Sequence, residues 1–111
     1  LAFWKNMHCL SFLKKNPPQK KMNDVFVVRH GERADFPTVS QQSVDYEYEY
    51  DPPLTPFGIT QATKTGEFIR DEYRHQNADF IIYSSPFLRC LQTASNIAKQ
   101  LDTTQVTIED G

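Results

Sequence analysis

Three arginines and one histidine follow two apolar stretches of the sequence, and together they could bind and transfer a phosphoryl group. Arg29, His30 and Arg33 follow one such stretch, and Arg89 follows another. Guanidinium groups bind the oxygens of a phosphoryl group in pairs and stabilise the charge that develops there during transfer. A neutral imidazole can attack phosphorus and form a phosphohistidine. By itself a histidine at a strand end is more often structural, but the neighbouring arginines favour His30 as a nucleophile.

Two apolar runs predict the strands that place these residues. Residues 25–28 read Val-Phe-Val-Val and residues 80–83 read Phe-Ile-Ile-Tyr, which is typical of strands covered on both faces. Gly31 allows the chain to turn after the first strand. Ligands of open α/β sheets bind at the carboxyl ends of the strands, so the arginines and His30 are expected to meet there.

Helical periodicity follows each predicted strand. Thr55-Pro56 predicts the start of a helix over residues 56–75, and Ser84-Ser85-Pro86 predicts the start of a second helix. The apolar stripes are Ile59, Ala62, Gly66, Ile69 and Tyr73 in the first helix and Phe87, Leu91, Ala94, Ala98 and Leu101 in the second. With a third strand from residue 106, the order β-α-β-α-β predicts a three-layer α/β/α sandwich with a mostly parallel sheet.

Two further expectations concern the first helix. Ala62 and Gly66 are small and would let the helix lie close against the sheet. Gln61 falls off the apolar stripe, on a face that is predicted to be solvated.

Three blocks of sequence, in this order, resemble a known family. They are Arg29-His30-Gly31-Glu32 with Arg33, then Asp-Pro-Pro-Leu-Thr-Pro-Phe-Gly-Ile-Thr-Gln-Ala at residues 51–62, and Tyr-Ser-Ser-Pro-Phe-Leu-Arg-Cys-Leu-Gln-Thr-Ala at residues 83–94. These blocks resemble signatures of the histidine phosphatase superfamily, also called phosphoglycerate mutase-like. The first block, with Arg33 after Glu32, resembles the motif of the eukaryotic protein-tyrosine-phosphatase-like branch of this superfamily. This branch is of the type found in ubiquitin-associated and SH3 domain-containing proteins.

The resemblance implies a role for each site residue. His30 matches the family's nucleophile. The arginines that match its phosphate-binding residues are Arg29, Arg33 and Arg89. Gly31 and Glu32 match supporting positions, with Glu32 orienting the loop or balancing its charge. No cofactor and no metal are implied.

Two catalytic elements of the family have no match in the sequence. Members carry a second active-site histidine in a later Ser-His-Gly block and an acidic proton donor shortly after the third strand. No histidine follows His75. The general acid is unassigned: the resemblance puts it just beyond Gly111, and Glu109, followed by Asp110, is less favoured. Residues 22–111 are therefore interpreted as the amino-terminal half of a catalytic domain, expected to be inactive alone.

Charge is distributed unevenly along the 111 residues. Residues 1–21 hold five lysines and no acid, whereas the remainder holds seven Lys or Arg against fourteen Asp or Glu, a net charge of −7. An acidic body argues against nucleic-acid binding. Residues 1–21 are predicted to be a basic, Pro-containing leader or linker, and residues 14–23 to hold no regular element. The apolar stretch before them is too short and too polar to span a membrane.

The two cysteines, Cys9 and Cys90, have no metal-like or redox-like spacing. Neither a disulfide framework nor a zinc site is predicted, which favours a reduced, cytoplasmic compartment.

Residues 34–50 show no helical period, and tyrosines alternate with acidic residues at their end. The alternation can make a short edge strand. Two interpretations are left open for this segment, a lid that selects the substrate and a surface loop.

Two classes of function fit these observations. The first is a phosphomonoester hydrolase that acts through a phosphohistidine on a phosphorylated small molecule or phosphoprotein. The second is a catalytically inactive phosphate-binding or interaction module, and association of two copies is open for both. A phosphoglycerate mutase is less favoured, because the residues after Glu32 are Arg33-Ala34-Asp35, which differ from the Ser-x-Trp-Asn motif of glycolytic mutases.

Overall fold

The computed structural model describes residues 10–15, 24–74 and 78–109, which form one sheet and two helices. The elements in chain order are β1 (Leu10–Lys15), β2 (Val25–Arg29), α1 (Pro56–Glu72), β3 (Phe80–Ser84), α2 (Leu88–Gln100) and β4 (Val106–Ile108). The strand order in the sheet is β2-β1-β3-β4. From β2 onwards the predicted β-α-β-α-β order is confirmed.

Strand β1 was not predicted. It pairs antiparallel with β2, where Leu10 lies opposite Arg29, and antiparallel with β3, where Lys15 lies opposite Phe80. It thereby supplies the backbone hydrogen bonds that both neighbouring strands need on their inner edges. The expectation that residues 14 and 15 hold no regular element is wrong, and the rest of residues 1–21 lies outside the described residues. The leader and the domain boundary at residue 22 stay predictions.

The other three strands run in the same direction. β2 and β3 are each antiparallel to β1, and β3 pairs with β4 in parallel. The α/β class is therefore confirmed, and the predicted common direction of the other strands is found in β2, β3 and β4. Two of the three strand pairings are nevertheless antiparallel, because β1 lies between β2 and β3. The described helices do not stand on opposite faces, because both contribute to one core on one face of the sheet. Three layers are not seen among the described residues.

The core joins β2 and β3 to both helices. Its buried members are Val28, Ile69, Ile82, Ala94, Ile97 and Ala98. The Tyr73 ring stands edge-on to Phe26 and to Phe80, with centroids 5.7 and 5.8 Å apart. Because aromatic pairs favour this arrangement, the carboxyl end of α1 is held against the amino ends of both strands.

Helix α1 begins as the sequence predicts. Thr55 is the N-cap, its hydroxyl accepts the Gly58 N–H at 3.0 Å, and Pro56 is the first helical residue. The buried face is rotated slightly from the prediction, so that Gly58 is buried while Ile59 is 36% exposed. Gly66 faces Ile97 and Gln100 of α2 rather than the sheet, which corrects the expected role of the small residues.

Helix α2 begins later than the Ser-Ser-Pro signal predicts. Its first residue is Leu88, and its N-cap, Phe87, makes no side-chain capping bond. The Asp51 carboxylate instead accepts the Leu88 N–H at 2.9 Å. A carboxylate from a distant loop thus satisfies a free amide at the helix start, which no local signal announces.

Two findings bear on location. Neither described helix is long and apolar enough to span a membrane. Cys90 is fully buried and disulfide-bonded, so the prediction that no disulfide forms is wrong for this residue. Cys9 lies outside the described residues.

Candidate active site

The structure brings the four predicted reactive residues together at one end of the sheet. Arg29 ends β2, His30 and Arg33 lie in the following loop, and Arg89 is the second residue of α2. All three guanidinium charges act on the imidazole. Burial lowers the pKa of His30 most, the positive charges of Arg89, Arg29 and Arg33 lower it further, and a hydrogen bond to Gly31 only partly offsets them. His30 is therefore neutral near pH 7.

The ring of His30 is held in one tautomer. Its Nδ1 lies 2.8 Å from the carbonyl oxygen of Gly31. A carbonyl can only accept a hydrogen bond, so Nδ1 carries the proton and Nε2 carries the lone pair. The loop thus leaves Nε2 unprotonated, the form in which an imidazole nitrogen can act as a nucleophile.

Arg89 is buried without a complete set of partners. The residue is 6% exposed, and its Nε has no hydrogen-bond acceptor among the described residues. Its guanidinium stands 4.6 Å from the centroid of the Phe87 ring. Burial and the nearby charge of Arg33 lower the pKa of Arg89, although nearby acids act in the opposite direction. A buried donor without an acceptor is costly, so this arrangement favours an anionic ligand.

Arg33 already has an anionic partner. Its Nε donates to Oδ1 of Asp35 at 2.8 Å, and its Nη2 donates to Oδ2 at 2.6 Å. The pair is partly exposed, at 32% and 29% of the two side chains. Arg33 and Asp35 thus form a two-point ion pair in the free site.

A cleft of about 290 Å³ opens beside these residues. It is lined by Arg29, His30, Gly31, Glu32, Arg33, Phe36, Thr38, Val39 and Gln61. Arg89 is not among the lining residues, and it approaches His30 from α2. The segment after Arg33 contributes Phe36, Thr38 and Val39 to this lining, and the tyrosines farther along are not part of it.

The Glu32 side chain ties the loop to itself and to α1. Its carboxylate accepts the backbone N–H groups of Val39 and Ser40 at 2.9 and 3.0 Å, the Thr55 hydroxyl at 2.8 Å, and the Ser40 hydroxyl. Burial acts to raise the pKa of Glu32, but these hydrogen bonds outweigh it and lower the pKa to about 2. Glu32 is therefore a carboxylate at all ordinary pH values. Its predicted supporting role fits these contacts and stays a prediction.

Three further polar side chains hold the backbone around the site, and the local sequence patterns did not predict this role. The Thr93 hydroxyl accepts the Gly31 N–H at 3.1 Å and donates to the Arg89 carbonyl at 2.8 Å. Gln61 accepts the Glu32 N–H at 2.8 Å, so its assignment to a solvated face was incomplete. Gln92 accepts the Leu54 N–H at 2.7 Å. Only their place inside the resembling blocks could have pointed to them.

Gly31 and Gly58 allow the loop and α1 to touch through their backbones. A Cβ atom on Gly31 would stand 2.4 Å from the Gly58 carbonyl oxygen, and one on Gly58 would stand 2.4 Å from the Glu32 carbonyl oxygen. Neither position has room for a side chain. This contact sets the distance between His30 and α1.

The remaining predictions concern the acid and the tyrosines. Glu109 follows β4, is exposed, and its N–H donates to the Ser84 carbonyl at 2.8 Å. Its role as an acid is untested, and Asp110 lies outside the described residues. Tyr48 and Tyr50 are exposed, with ring centroids 5.7 Å apart, and belong to no strand, so the edge-strand prediction is wrong. Within the described ranges no group of His, Cys, Asp or Glu could hold a metal ion.

Comparison with known proteins identifies one family. The family model described as "Histidine phosphatase superfamily (branch 1)" matches residues 25–111. Ubiquitin-associated and SH3 domain-containing protein B of Mus musculus is 34% identical in an alignment over 110 residues, and the match covers 76% of this chain. Sedoheptulose 1,7-bisphosphatase of Saccharomyces cerevisiae is 37% identical over 81 residues, which cover 71% of it.

The chain spans a small part of these relatives. It covers 16% of the length of the mouse protein and 28% of the length of the yeast bisphosphatase. No solved structure gives a significant match. The match to the family model confirms the predicted resemblance at the level of the family.

Proposed function

Because the chain belongs to the histidine phosphatase superfamily, we propose that it is the nucleophile-bearing part of a phosphomonoester hydrolase. The observation that carries this proposal is the neutral His30 among three arginines, one of which, Arg89, is buried with an unpartnered Nε. Arg29, Arg33 and Arg89 bind the phosphoryl oxygens in this proposal. Gly31 and Glu32 support the loop. The proposed domain is residues 22–111 of a three-layer sandwich whose second helical layer is not among the described residues.

The proposed reaction uses His30 twice. Its Nε2 forms a bond to phosphorus while the bond between phosphorus and the alcohol oxygen breaks, and the arginines stabilise the charge on the outer oxygens. Water then breaks the bond between phosphorus and Nε2 and releases phosphate. The alcohol needs a proton, and the acid that supplies it is unassigned; Glu109 is the less favoured candidate.

The substrate belongs to the proposal and is stated only as a class. One relative is named for a sugar bisphosphate, which supports a phosphorylated small molecule, and a phosphoprotein is the other candidate. An inactive phosphate-binding or interaction module is the alternative function. The predicted cytoplasmic location stays a prediction, and the disulfide of Cys90 argues against it because disulfides are rare in that compartment.

Replacing Arg89 by Ala tests the phosphate site. We expect inorganic phosphate to bind about 1 to 3 kcal/mol more weakly, because a buried charged donor is lost. Isothermal titration calorimetry measures the change. Arg70→Ala is the matched control, since Arg70 is exposed and pairs with Asp71 on α1. Equal affinity in wild type and Arg89→Ala would contradict the arginine site.

The lowered pKa of His30 predicts how phosphorylation of this residue depends on pH. The neutral ring is the nucleophile, and its fraction falls only when the pH drops below the lowered pKa. Phosphorylation from a small phosphoryl donor should therefore persist at about pH 6.5, the ordinary pKa of histidine, and fall in more acidic solution. A midpoint above that value would contradict the electrostatic description of His30.

A further inference from the structure

The two acidic residues that flank Arg33 have different partners. The Glu32 carboxylate accepts hydrogen bonds from residues 39, 40 and 55, none of which is an arginine. The Asp35 carboxylate accepts two hydrogen bonds from Arg33. We call Arg29, Arg33 and Arg89 the arginine cluster. Among the described ion pairs, the pair of Asp35 with Arg33 is the one that involves this cluster. Asp35 therefore offsets part of the positive charge of Arg29, Arg33 and Arg89, whereas Glu32 holds the loop.

The Asp35 pair occupies the part of Arg33 that suits phosphate. Nε and one Nη of a guanidinium form a fork that takes two oxygens of a carboxylate or of a phosphate. Arg33 cannot present this fork to a phosphoryl group while Asp35 holds it. Arg29 and Arg89 take part in no ion pair within the described ranges. Competition between a carboxylate and a phosphoryl group therefore concerns Arg33.

We propose that the Asp35 carboxylate competes with phosphate for Arg33 and that a bound phosphoryl group displaces it. This rests on the proposed function, because it assumes that phosphate binds among the arginines. Displacement is feasible because both side chains are about one third exposed, and partly exposed ion pairs contribute little to stability. A phosphate dianion also carries more charge than a carboxylate. Asp35 thereby lowers the affinity of the site for phosphate.

The same carboxylate has a second effect, which concerns the repulsion between two arginines. Arg33 and Arg89 repel each other, and the charge of Asp35 acts on both of them. A nearby acid reduces this repulsion when no phosphate is bound. Asp35 is thus a substitute anion that keeps Arg33 and Arg89 together and is displaced by the substrate.

Asp35→Asn tests the proposal by calorimetric titration of the chain with inorganic phosphate. The neutral amide releases Arg33, so we expect phosphate to bind about threefold to tenfold more tightly than to wild type. The control is Asp71→Asn, which makes the same change of charge at an exposed site where Asp71 pairs with Arg70 and Arg74. The control should bind phosphate like wild type.

An Arg33→Ala background separates competition from simple repulsion. If Asp35 acts through Arg33, adding Asp35→Asn to Arg33→Ala should bring little gain in phosphate affinity. A gain that persists in this background overturns the proposal, because long-range repulsion by Asp35 then explains it. Weaker binding by Asp35→Asn alone also overturns it, since Asp35 would then orient Arg33 for the ligand.

The outcome for wild type distinguishes this proposal from the proposed function. Phosphate binding to wild type without any gain in Asp35→Asn overturns the competition alone. Binding to neither protein overturns the phosphate site and the competition with it.

NMR spectroscopy tests the proposal without any variant of Asp35. The resonance to follow is that of the Arg33 Nε–H group, which is assigned by its loss in Arg33→Ala. It should shift when phosphate replaces the carboxylate, and an unchanged resonance in the phosphate-bound chain overturns the proposal.

Discussion

His30→Ala is expected to abolish transfer of a phosphoryl group onto the chain. The structure leaves Nε2 of His30 as an unprotonated nitrogen in reach of three arginine charges. Removing the ring removes the atom that bonds to phosphorus, so the loss should be complete rather than partial. Phosphoramidate is a suitable phosphoryl donor, because its P–N bond breaks with release of ammonia and this leaving group does not require the unassigned general acid. Phosphorus NMR of the base-treated chain measures phosphohistidine, which is stable in base.

The control for this experiment is His75→Ala. His75 belongs to none of the three blocks that resemble the family, and it lies outside the described residues. It should retain the wild-type signal. Persistent phosphohistidine in His30→Ala would mean that another histidine is the nucleophile. Phosphate binding without any phosphohistidine in wild type would favour the alternative, an inactive binding module.

Gly58→Ala should produce the largest loss of stability among single methyl additions in α1. The new Cβ would stand 2.4 Å from the carbonyl oxygen and 2.8 Å from the nitrogen of Glu32. These are backbone atoms, and Gln61 and Thr55 hold them with hydrogen bonds to the same peptide groups. The loop must therefore move as a whole. We expect the free energy of unfolding to fall by about 3 kcal/mol, the upper range for overpacking.

Urea unfolding followed by circular dichroism measures this loss. Thr60→Ala is the matched control, because Thr60 is an exposed residue of the same helix and alanine is a better helix former. It should leave stability unchanged or raise it slightly. Gly58→Ala should also bind phosphate more weakly, since His30 and Arg33 move with the loop. A stability equal to that of Thr60→Ala would show that the backbone contact is looser than the structure has it.

Most of the regular elements could be predicted from local patterns. The apolar runs identified β2 and β3, and Thr55-Pro56 identified the first residue of α1 because the cap and the proline act within one turn. The start of α2 could not be predicted in this way. Its first amide is satisfied by Asp51, which is 37 positions away. Strand β1 was missed for a similar reason, since its place depends on the two strands beside it.

The sequence by itself determined that His30 and the three arginines lie near one another. Arg29, His30 and Arg33 end one strand and Arg89 starts the helix after another, and parallel strands bring their carboxyl ends together whatever the details of packing. Only the tertiary structure decided the state of each group. The tautomer of His30, the pairing of Arg33 with Asp35 and the unpartnered Nε of Arg89 depend on atoms a few ångströms apart. Hydrogen bonds select partners by distance and angle in space, and residue order constrains these only loosely.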